Sequence, residues 1–268
     1  MNILLVCDSP QLQAHLLQVC QSYYGVHVWQ DFPVSTPPDY VVHLPLVAQR
    51  TLYTSVADMA PYQQASKQVD SLLQQARAWG AGYLFLSSQQ VYVAGHRISL
   101  QEEDHADAAC ELGTWWIEQE NKISCYPKHF IMRTGYLLDQ TSLESLLEKM
   151  RQQTWPQDEE TFCLTTLEDL SRAILGILLQ NFHHPKGLWG LYHYTGHEQS
   201  SELEVAKSIR RLAAEHEPLP DPPEETHARS VPRLLNCRRV LDTFAIHQRS
   251  WKQDLPKLVN QIYSHSLP

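Results

Sequence analysis

Short apolar segments alternate with amphipathic helical patterns along the first 153 residues, and this alternation constrains the fold more than any other feature. Such an order is typical of a parallel β-sheet whose two faces are covered by helices. In the first helical pattern, Leu12, Leu16 and Cys20 recur at the spacing of a stripe that faces a core. The sequence predicts strands at 2–7, 26–29, 40–44, 82–87 and 129–138 and helices at 10–24, 58–79, 104–121 and 142–153.

The pattern changes after about residue 160, where shorter elements follow one another and a proline-rich loop, EPLPDPPEET, separates the last helices. The sequence predicts strands at 162–165 and 188–195 and helices at 167–181, 200–215, 236–244 and 250–264. We predict an α/β fold in which residues 1–160 form a Rossmann-type, doubly wound parallel sheet and residues 161–268 form a smaller, interleaved C-terminal lobe. Part of that lobe, about 161–181, is expected to pack back on the first layer. A ligand is expected in the cleft between the two regions.

Charge and cysteine content argue against several classes of protein. The formal net charge is −9, whereas a surface that binds nucleic acid needs clustered Lys and Arg. No apolar window reaches the roughly 18 residues of a membrane span, so we expect no membrane insertion. The six cysteines form no CxxC motif and no cationic signal segment precedes them, which predicts reduced thiols in the cytoplasm. The 14 histidines form no HExxH motif, and no metal site is predicted.

Five stretches carry a resemblance to a known family. They are GYLFLSSQQVY at 82–92, HFIMRTGYLL at 129–138, TTLEDLSRAILGIL at 165–178, GLYHYTG at 190–196 and LLNCRRVLDTFAI at 234–246. In this order they resemble the extended short-chain dehydrogenases, and among these the dTDP-4-dehydrorhamnose reductases and the related regulatory β subunit of methionine adenosyltransferase. The resemblance implies a Rossmann sheet with a small substrate lobe.

The resemblance also implies a catalytic Tyr-x-x-x-Lys pair on the helix after the serine strand. The chemistry needs both groups, because a phenol with a pKa near 10 must lie beside a cation to act near neutral pH. This chain reads LGTWWIEQE at 112–120, where Gly113 and Glu120 are in register but Leu112 and Trp116 replace Tyr and Lys. We therefore expect an apolar pair that packs in place of a pair that transfers a proton.

Three further positions belong to the same candidate site. Ser88 matches the catalytic Ser or Thr of the family, and we expect it to be a structural remnant. Gln89 stands where the reductases often have Asp, and Arg133 lies in the stretch that resembles the family's Ile-Leu-Arg-Thr strand. With Leu112 and Trp116, these residues form the candidate lining of the cleft.

The glycine turn of the family, Gly-x-x-Gly-x-x-Gly, is altered as well. Cys7, Pro10 and Gln13 replace its glycines and add side chains where the backbone must approach a pyrophosphate. Ser9 and Pro10 are suited to be the N-cap and the first residue of a helix. Asp8 adds a negative charge, which at ~4 Å and an effective dielectric constant of ~20 would repel one phosphate charge by roughly 4 kcal/mol.

These replacements predict a non-catalytic homologue that acts through a protein partner, a second copy of itself or a small molecule in the cleft, with no cofactor. The alternative is an active NAD(P)H-dependent sugar-nucleotide reductase or epimerase that binds NADP or NAD. Such an enzyme would need another acid near Ser88, and His96, His105 and Glu111 are the candidates. A hydrolase has little support, because the sequence has no G-x-S-x-G motif.

Overall fold

The computed structural model describes residues 1–30, 36–45, 60–93, 99–108, 110–156, 161–184, 186–222 and 234–264. The strands are β1 (Asn2–Cys7), β2 (His27–Trp29), β3 (Tyr40–Leu44), β4 (Gly82–Ser88), β5 (His129–Thr134), β6 (Tyr136–Leu138), β7 (Thr161–Thr166), β8 (Gly190–Tyr194) and β9 (Gln199–Ser201). The helices are α1 (Pro10–Gln21), α2 (Ala60–Trp79), α3 (Glu111–Ser124), α4 (Gln140–Arg151), α5 (Leu167–His183), α6 (Glu202–Ala213), α7 (Arg238–Phe244) and α8 (Trp251–Ser264).

The larger sheet has six strands in the order β2-β1-β3-β4-β5-β8, and all neighbouring pairs are parallel. Its central strands β3 and β4 are buried throughout, as their nearly continuous apolar sequences indicate. The carboxyl ends of β1, β4 and β5 lie at one edge of this sheet. The predicted Rossmann-type sheet is confirmed.

Helices cover both faces of this sheet. On one face, Leu12 and Leu16 of α1 share a core with Ile174 and Ile177 of α5, and α7 packs into the same core. On the other face, α2 and α3 pack against the opposite side of β3 and β4. The doubly wound arrangement follows from these two cores. Within the described ranges, no helix combines the length and the apolar character that crossing a bilayer would need.

Gly135 marks the point at which the chain leaves the larger sheet, so the strand predicted over 129–138 is in fact two strands. A Cβ atom at this position would lie 2.9 Å from the carbonyl oxygen of Cys163, which only glycine avoids. Beyond Gly135, β6 pairs with β7 in a smaller sheet of order β6-β7-β9. Helices α4, α6 and α8 share a separate core with this sheet. The smaller lobe is therefore interleaved with the larger one.

Helix α3 begins later than the periodicity predicts. Residues 104–108 are not helical, because the side chain of Asp104 accepts a hydrogen bond from the Gln101 amide and that of Asp107 accepts one from the Val93 amide. Such local bonds compete with a helix. The helix starts after Cys110, whose sulfur accepts a hydrogen bond from the Gly113 amide.

Candidate functional site

In the turn after β1, the first backbone positions of α1 are capped by a side chain or have no N–H to donate. Ser9 is the N-cap of α1, and its hydroxyl accepts a hydrogen bond from the Leu12 amide at 3.3 Å, which confirms the predicted cap. Pro10 is the first helical residue and has no N–H to donate. The sulfur of Cys7 donates to the carbonyl of Ser9, and the side chain of Asp8 is exposed beside the turn. The turn is a poor fit to a pyrophosphate, because it offers few donors and carries a carboxylate.

Gln11 joins this turn to the start of α4. Its Oε1 accepts a hydrogen bond from the amide of Gln140 at 3.1 Å, and its Nε2 donates to the hydroxyl of Thr141 at 3.1 Å. The side chain of Gln11 thus accepts the hydrogen bond of a backbone N–H at the N-terminus of α4, so this N–H is not free to bind a ligand. This contact leaves no signal in the sequence, because the two segments are about 130 residues apart in the chain.

Leu112 and Trp116 lie in the core between α3 and the larger sheet. Their side chains are 2% and 0% exposed. The Trp116 ring centroid lies 5.6 Å from that of Phe85 on β4 and 4.6 Å from that of Trp115. The two residues thus fill apolar space with no polar head group exposed to a ligand.

Ser88 and Gln89 are also buried, each 2% exposed. The Ser88 hydroxyl accepts a hydrogen bond from the Gln90 amide at 3.2 Å and caps the short 3₁₀ turn Gln89–Val91. Gln89 lies against the strand break, with its Oε1 3.2 Å from the position of a Cβ atom on Gly135. Both side chains therefore have structural contacts at the carboxyl end of β4.

Arg133 is the centre of a buried polar network that we call the arginine network: Ser87, Tyr92, Glu120, Arg133 and His193. Its guanidinium donates to both carboxylate oxygens of Glu120, at 2.6 Å from Nη2 and at 3.0 and 3.2 Å from Nε. The hydroxyl of Ser87 also donates to Glu120, and Nη1 of Arg133 donates to the hydroxyl of Tyr92. Fixed bidentate pairing of this kind compensates the cost of burying the two charges.

Burial in this network shifts the pKa values of Tyr92 and His193 away from neutral pH, where an acid or base catalyst would need to titrate. Burial raises the pKa of Tyr92 to about 12, although the charge and hydrogen bond of Arg133 act in the opposite direction. Burial, together with the positive charge of Arg133, lowers the pKa of His193 to about 3, so its ring is neutral at physiological pH. Nε2 of His193 lies 3.1 Å from the Tyr92 hydroxyl. A phenol therefore contacts a cation in this fold, but burial outweighs that contact and keeps the Tyr92 phenol protonated.

The sequence did not single out Tyr92 or His193 as members of this cluster. The only available signal was that the stretches 82–92 and 190–196 both carry polar residues among apolar ones. Of the alternative acids, His105 and Glu111 are exposed, whereas Ser88 is buried. His96 lies outside the described residues. Among the side chains that the structure describes, no group of three or more His, Cys, Asp or Glu is arranged to hold a metal ion.

Comparison with known proteins identifies relatives in sequence and in fold. Residues 34–264 match the family model described as the RmlD substrate binding domain, a match that begins after α1 and β2. No curated protein matches the chain in sequence.

The fold is similar to those of solved reductases and epimerases. For a dTDP-4-dehydrorhamnose reductase from Clostridium acetobutylicum ATCC 824, the TM-score is 0.70 at 19% identity, covering 98% of this chain and 100% of that chain. For the dTDP-4-dehydrorhamnose reductase of Bacillus anthracis str. Ames in complex with NADP, the TM-score is 0.68 at 16% identity, covering 97% of this chain and 98% of that chain. For a UDP-glucuronic acid 4-epimerase of Bacillus cereus in complex with NAD, the TM-score is 0.72 at 16% identity, covering 98% of both chains. At these identities the likeness establishes a shared fold.

Proposed function

The chain belongs to the RmlD substrate binding domain family, and on that premise we propose that it is a non-catalytic member that acts by binding rather than by reducing a sugar nucleotide. The observation that carries this proposal is the burial of Leu112 and Trp116 in an aromatic core. By resemblance, these two residues take the places of the proton donor and its cation. General acid catalysis typically contributes 10²–10⁴-fold, and neither a leucine side chain nor an indole is acidic enough to supply the proton.

The turn after β1 supports the same proposal independently. A dinucleotide needs free amide donors and close backbone approach at the first helix. Here Pro10 has no N–H, the Leu12 amide is bonded to Ser9, and Gln11 bonds the start of α4. Asp8 adds a repulsive charge. We therefore propose that neither NADP nor NAD is the ligand of this protein.

In this proposal, the five candidate residues at the carboxyl ends of β4 and β5 and on α3 fill a former cleft. All five are 5% exposed or less. The smaller lobe, which has its own core of β6, β7, α4, α6 and α8, is then free to present a surface to a partner protein, a second copy or a small molecule. Regulation or scaffolding through such a partner is the function that this arrangement favours.

A second candidate function is an active reductase or epimerase with replaced catalytic groups. The likeness in fold to structures that hold NADP or NAD favours it. Such an enzyme could use the contact between the Tyr92 phenol and the Arg133 cation. However, Tyr92 is 2% exposed, and burial raises its pKa to about 12. This pair lacks both the access and the acidity that the reaction requires.

The experiment that separates the two candidates is an assay of the purified protein with NADPH and a dTDP-4-dehydro sugar, followed by the loss of NADPH absorbance. An active dTDP-4-dehydrorhamnose reductase under the same conditions is the positive control. We expect no turnover above the rate without protein. Turnover that is proportional to the concentration of this protein would overturn the proposal.

A further inference from the structure

A cavity of about 470 Å³ lies at the amino ends of β3 and β4. This is the edge of the larger sheet opposite to the candidate site, and no residue of the arginine network or of the turn after β1 lines the cavity. Its walls include the carboxyl ends of α2 and α5 and the loops that precede β5 and β8. Four aromatic side chains belong to these walls: Tyr40, Trp79, Phe182 and Trp189. We call this cavity the aromatic groove.

Trp189 is fixed by its neighbours in the wall of the groove. Its ring centroid lies 4.8 Å from that of Phe130 and 6.1 Å from that of Tyr40. Gly187 has a φ of +70°, and a Cβ atom there would lie 2.2 Å from Nε1 of Trp189, so only glycine leaves room for the indole. Phe182 is 43% exposed, although it is a large apolar side chain. Several accessible aromatic rings in one groove are typical of sites that bind proline-rich segments in the polyproline II conformation.

The charged groups of the groove are mainly basic, although the chain has a net charge of −9. Lys128, His184 and Lys186 line it, and Asp39 supplies the single carboxylate among the described residues of the lining. Nζ of Lys128 donates to the carbonyl of Gly80 at 2.7 Å, a neutral partner that does not compensate its charge. Lys186 is exposed, and within the described part of the chain it forms no ion pair. An occupant with carboxylates is therefore complementary in charge to this groove.

One segment of this chain has the properties that such a groove selects. It is EPLPDPPEET at 217–226, which combines four prolines with four carboxylates and has no basic residue. Pro220-Asp221-Pro222-Pro223 fits the PxxP pattern, and closely spaced prolines favour the polyproline II conformation before binding. A preformed conformation lowers the entropy that docking costs.

The segment starts from the smaller lobe, which the chain enters after β5, at the carboxyl edge of the larger sheet. Leu219 packs in the core of that lobe. Arg210 donates to the carbonyl of Pro220 at 2.6 Å from Nε and pairs with Asp221 at 2.5 Å from Nη2. Glu225 follows Pro220 with a reach of at most about 18 Å. The length of β4 alone separates the two edges of the sheet by about 23 Å. The segment is therefore too short to reach the groove of its own chain, and only a second copy can supply it.

We infer that the aromatic groove binds the proline-rich segment 217–226 of a second copy of this chain. In the complex, prolines of the segment pack on the aromatic rings, and Glu224 and Glu225 face Lys186. A second copy is one of the partners that the proposed function leaves open, and the inference rests on that function in this respect. Every copy carries both a groove and a segment, so two copies can bind each other reciprocally about a two-fold axis.

The first test is sedimentation velocity of the full chain in low salt at about 1–200 μM, a range that brackets a Kd of about 10–100 μM. We expect the sedimentation coefficient to rise with concentration, and the association to weaken in high salt, which screens exposed charge pairs. Phe182→Ala removes an exposed ring of the groove and should weaken the association by about tenfold. Tyr24→Ala removes an exposed ring outside the groove and should leave the association unchanged.

Charge reversal tests whether the segment is the occupant. Lys186→Glu should weaken the association by about two- to tenfold. Lys67→Glu, exposed on α2 about 18 Å along the helix from Trp79, should not change it. Glu224→Lys/Glu225→Lys should weaken the association to a similar extent as Lys186→Glu. All three substitutions combined in one chain should restore it, because opposite charges then face each other again.

A chain that is monomeric throughout this concentration range would overturn the inference. If a labelled peptide of sequence EPLPDPPEET binds such a monomeric chain, the natural occupant is a segment of another protein, and the inference is overturned as well. An association that Phe182→Ala, Lys186→Glu and the two glutamate substitutions all leave unchanged would place the interface on another surface, with the same consequence. Turnover of NADPH would count against the proposed function without changing the sedimentation of the chain, so the two failures are distinguishable.

Discussion

The two ends of α3 contact the larger sheet in different ways. Near its start, Leu112 and Trp116 pack in an apolar cluster with Phe85. Near its end, Glu120 pairs with Arg133 within the arginine network. By resemblance, Glu120 and Arg133 keep the residue types of the reductases, whereas Leu112 and Trp116 do not. Helix α3 therefore keeps the residue that pairs with the sheet, Glu120, although it lacks the two residues that would transfer a proton.

The two ends of α3 are therefore expected to lose stability on different kinds of substitution. The apolar cluster loses stability when a charge or a cavity is introduced. The ion pair loses stability when one partner is removed, because the other charge stays buried without compensation. Substitutions at the two ends of α3 therefore test the comparison directly.

The largest effect is expected when the lysine of the family is restored in the apolar cluster. Trp116→Lys removes a fully buried ring, a loss of about 3–5 kcal/mol, and places an ammonium in its place. We expect the free energy of unfolding, measured by urea denaturation, to fall by at least that amount. Glu118→Lys, exposed on the same helix, should change it by less than about 0.5 kcal/mol.

The double variant Leu112→Tyr/Trp116→Lys extends this prediction to activity. Even where it folds, we expect no NADPH-dependent reduction of a 4-keto sugar nucleotide, since the turn at Cys7, Pro10 and Gln13 is still altered. Appreciable turnover by this variant would show that the turn does not prevent cofactor binding.

The second prediction concerns the arginine network. Glu120→Ala leaves the guanidinium of Arg133 buried and without its carboxylate, and we expect a loss of about 3–5 kcal/mol in the free energy of unfolding. The matched control is Asp242→Ala, which breaks the exposed pair of Asp242 with Arg238 and should leave the free energy of unfolding almost unchanged. Equal effects of the two substitutions would contradict the structural role of the network.

The fold could be predicted further than the site. The alternation of strands and helices predicted the parallel sheet and both of its covered faces, because burial imposes a period on each element. The start of α3 was misplaced, because hydrogen bonds from Asp104 and Asp107 override helical periodicity. The contacts of Gln11 and His193 could not be predicted, since they join segments about 100 residues apart or more.

The third prediction concerns pH. His193 is buried with a pKa of about 3, below its usual 6.5, so the unfolded chain takes up a proton first as the pH falls. Stability from this group is present above about pH 6.5 and is lost toward pH 3, at up to about 1.4 kcal/mol per pH unit. His193→Gln should flatten the dependence of unfolding free energy on pH between about pH 6 and 4. The exposed His105→Gln should not, and an unchanged slope in His193→Gln would contradict the assigned burial.

The smallest effect is expected at the turn after β1. Ser9→Ala removes the N-cap of α1 and should lower the free energy of unfolding by about 1 kcal/mol. Ser71→Ala, at an exposed position inside α2, should be neutral or slightly stabilising. If Ser9→Ala had no effect, the serine would not serve as the helix cap that we describe.

The central claim is that this protein keeps the fold of a dinucleotide-binding reductase without its cofactor site. Isothermal titration of the wild-type protein with NADPH and with NADH tests it most directly, with an active dTDP-4-dehydrorhamnose reductase as the positive control. We expect no saturable heat with either dinucleotide up to about 1 mM, because Pro10 has no N–H to donate and the Leu12 amide is already bonded to Ser9. Saturable binding with a Kd of about 10 μM or below would contradict the account.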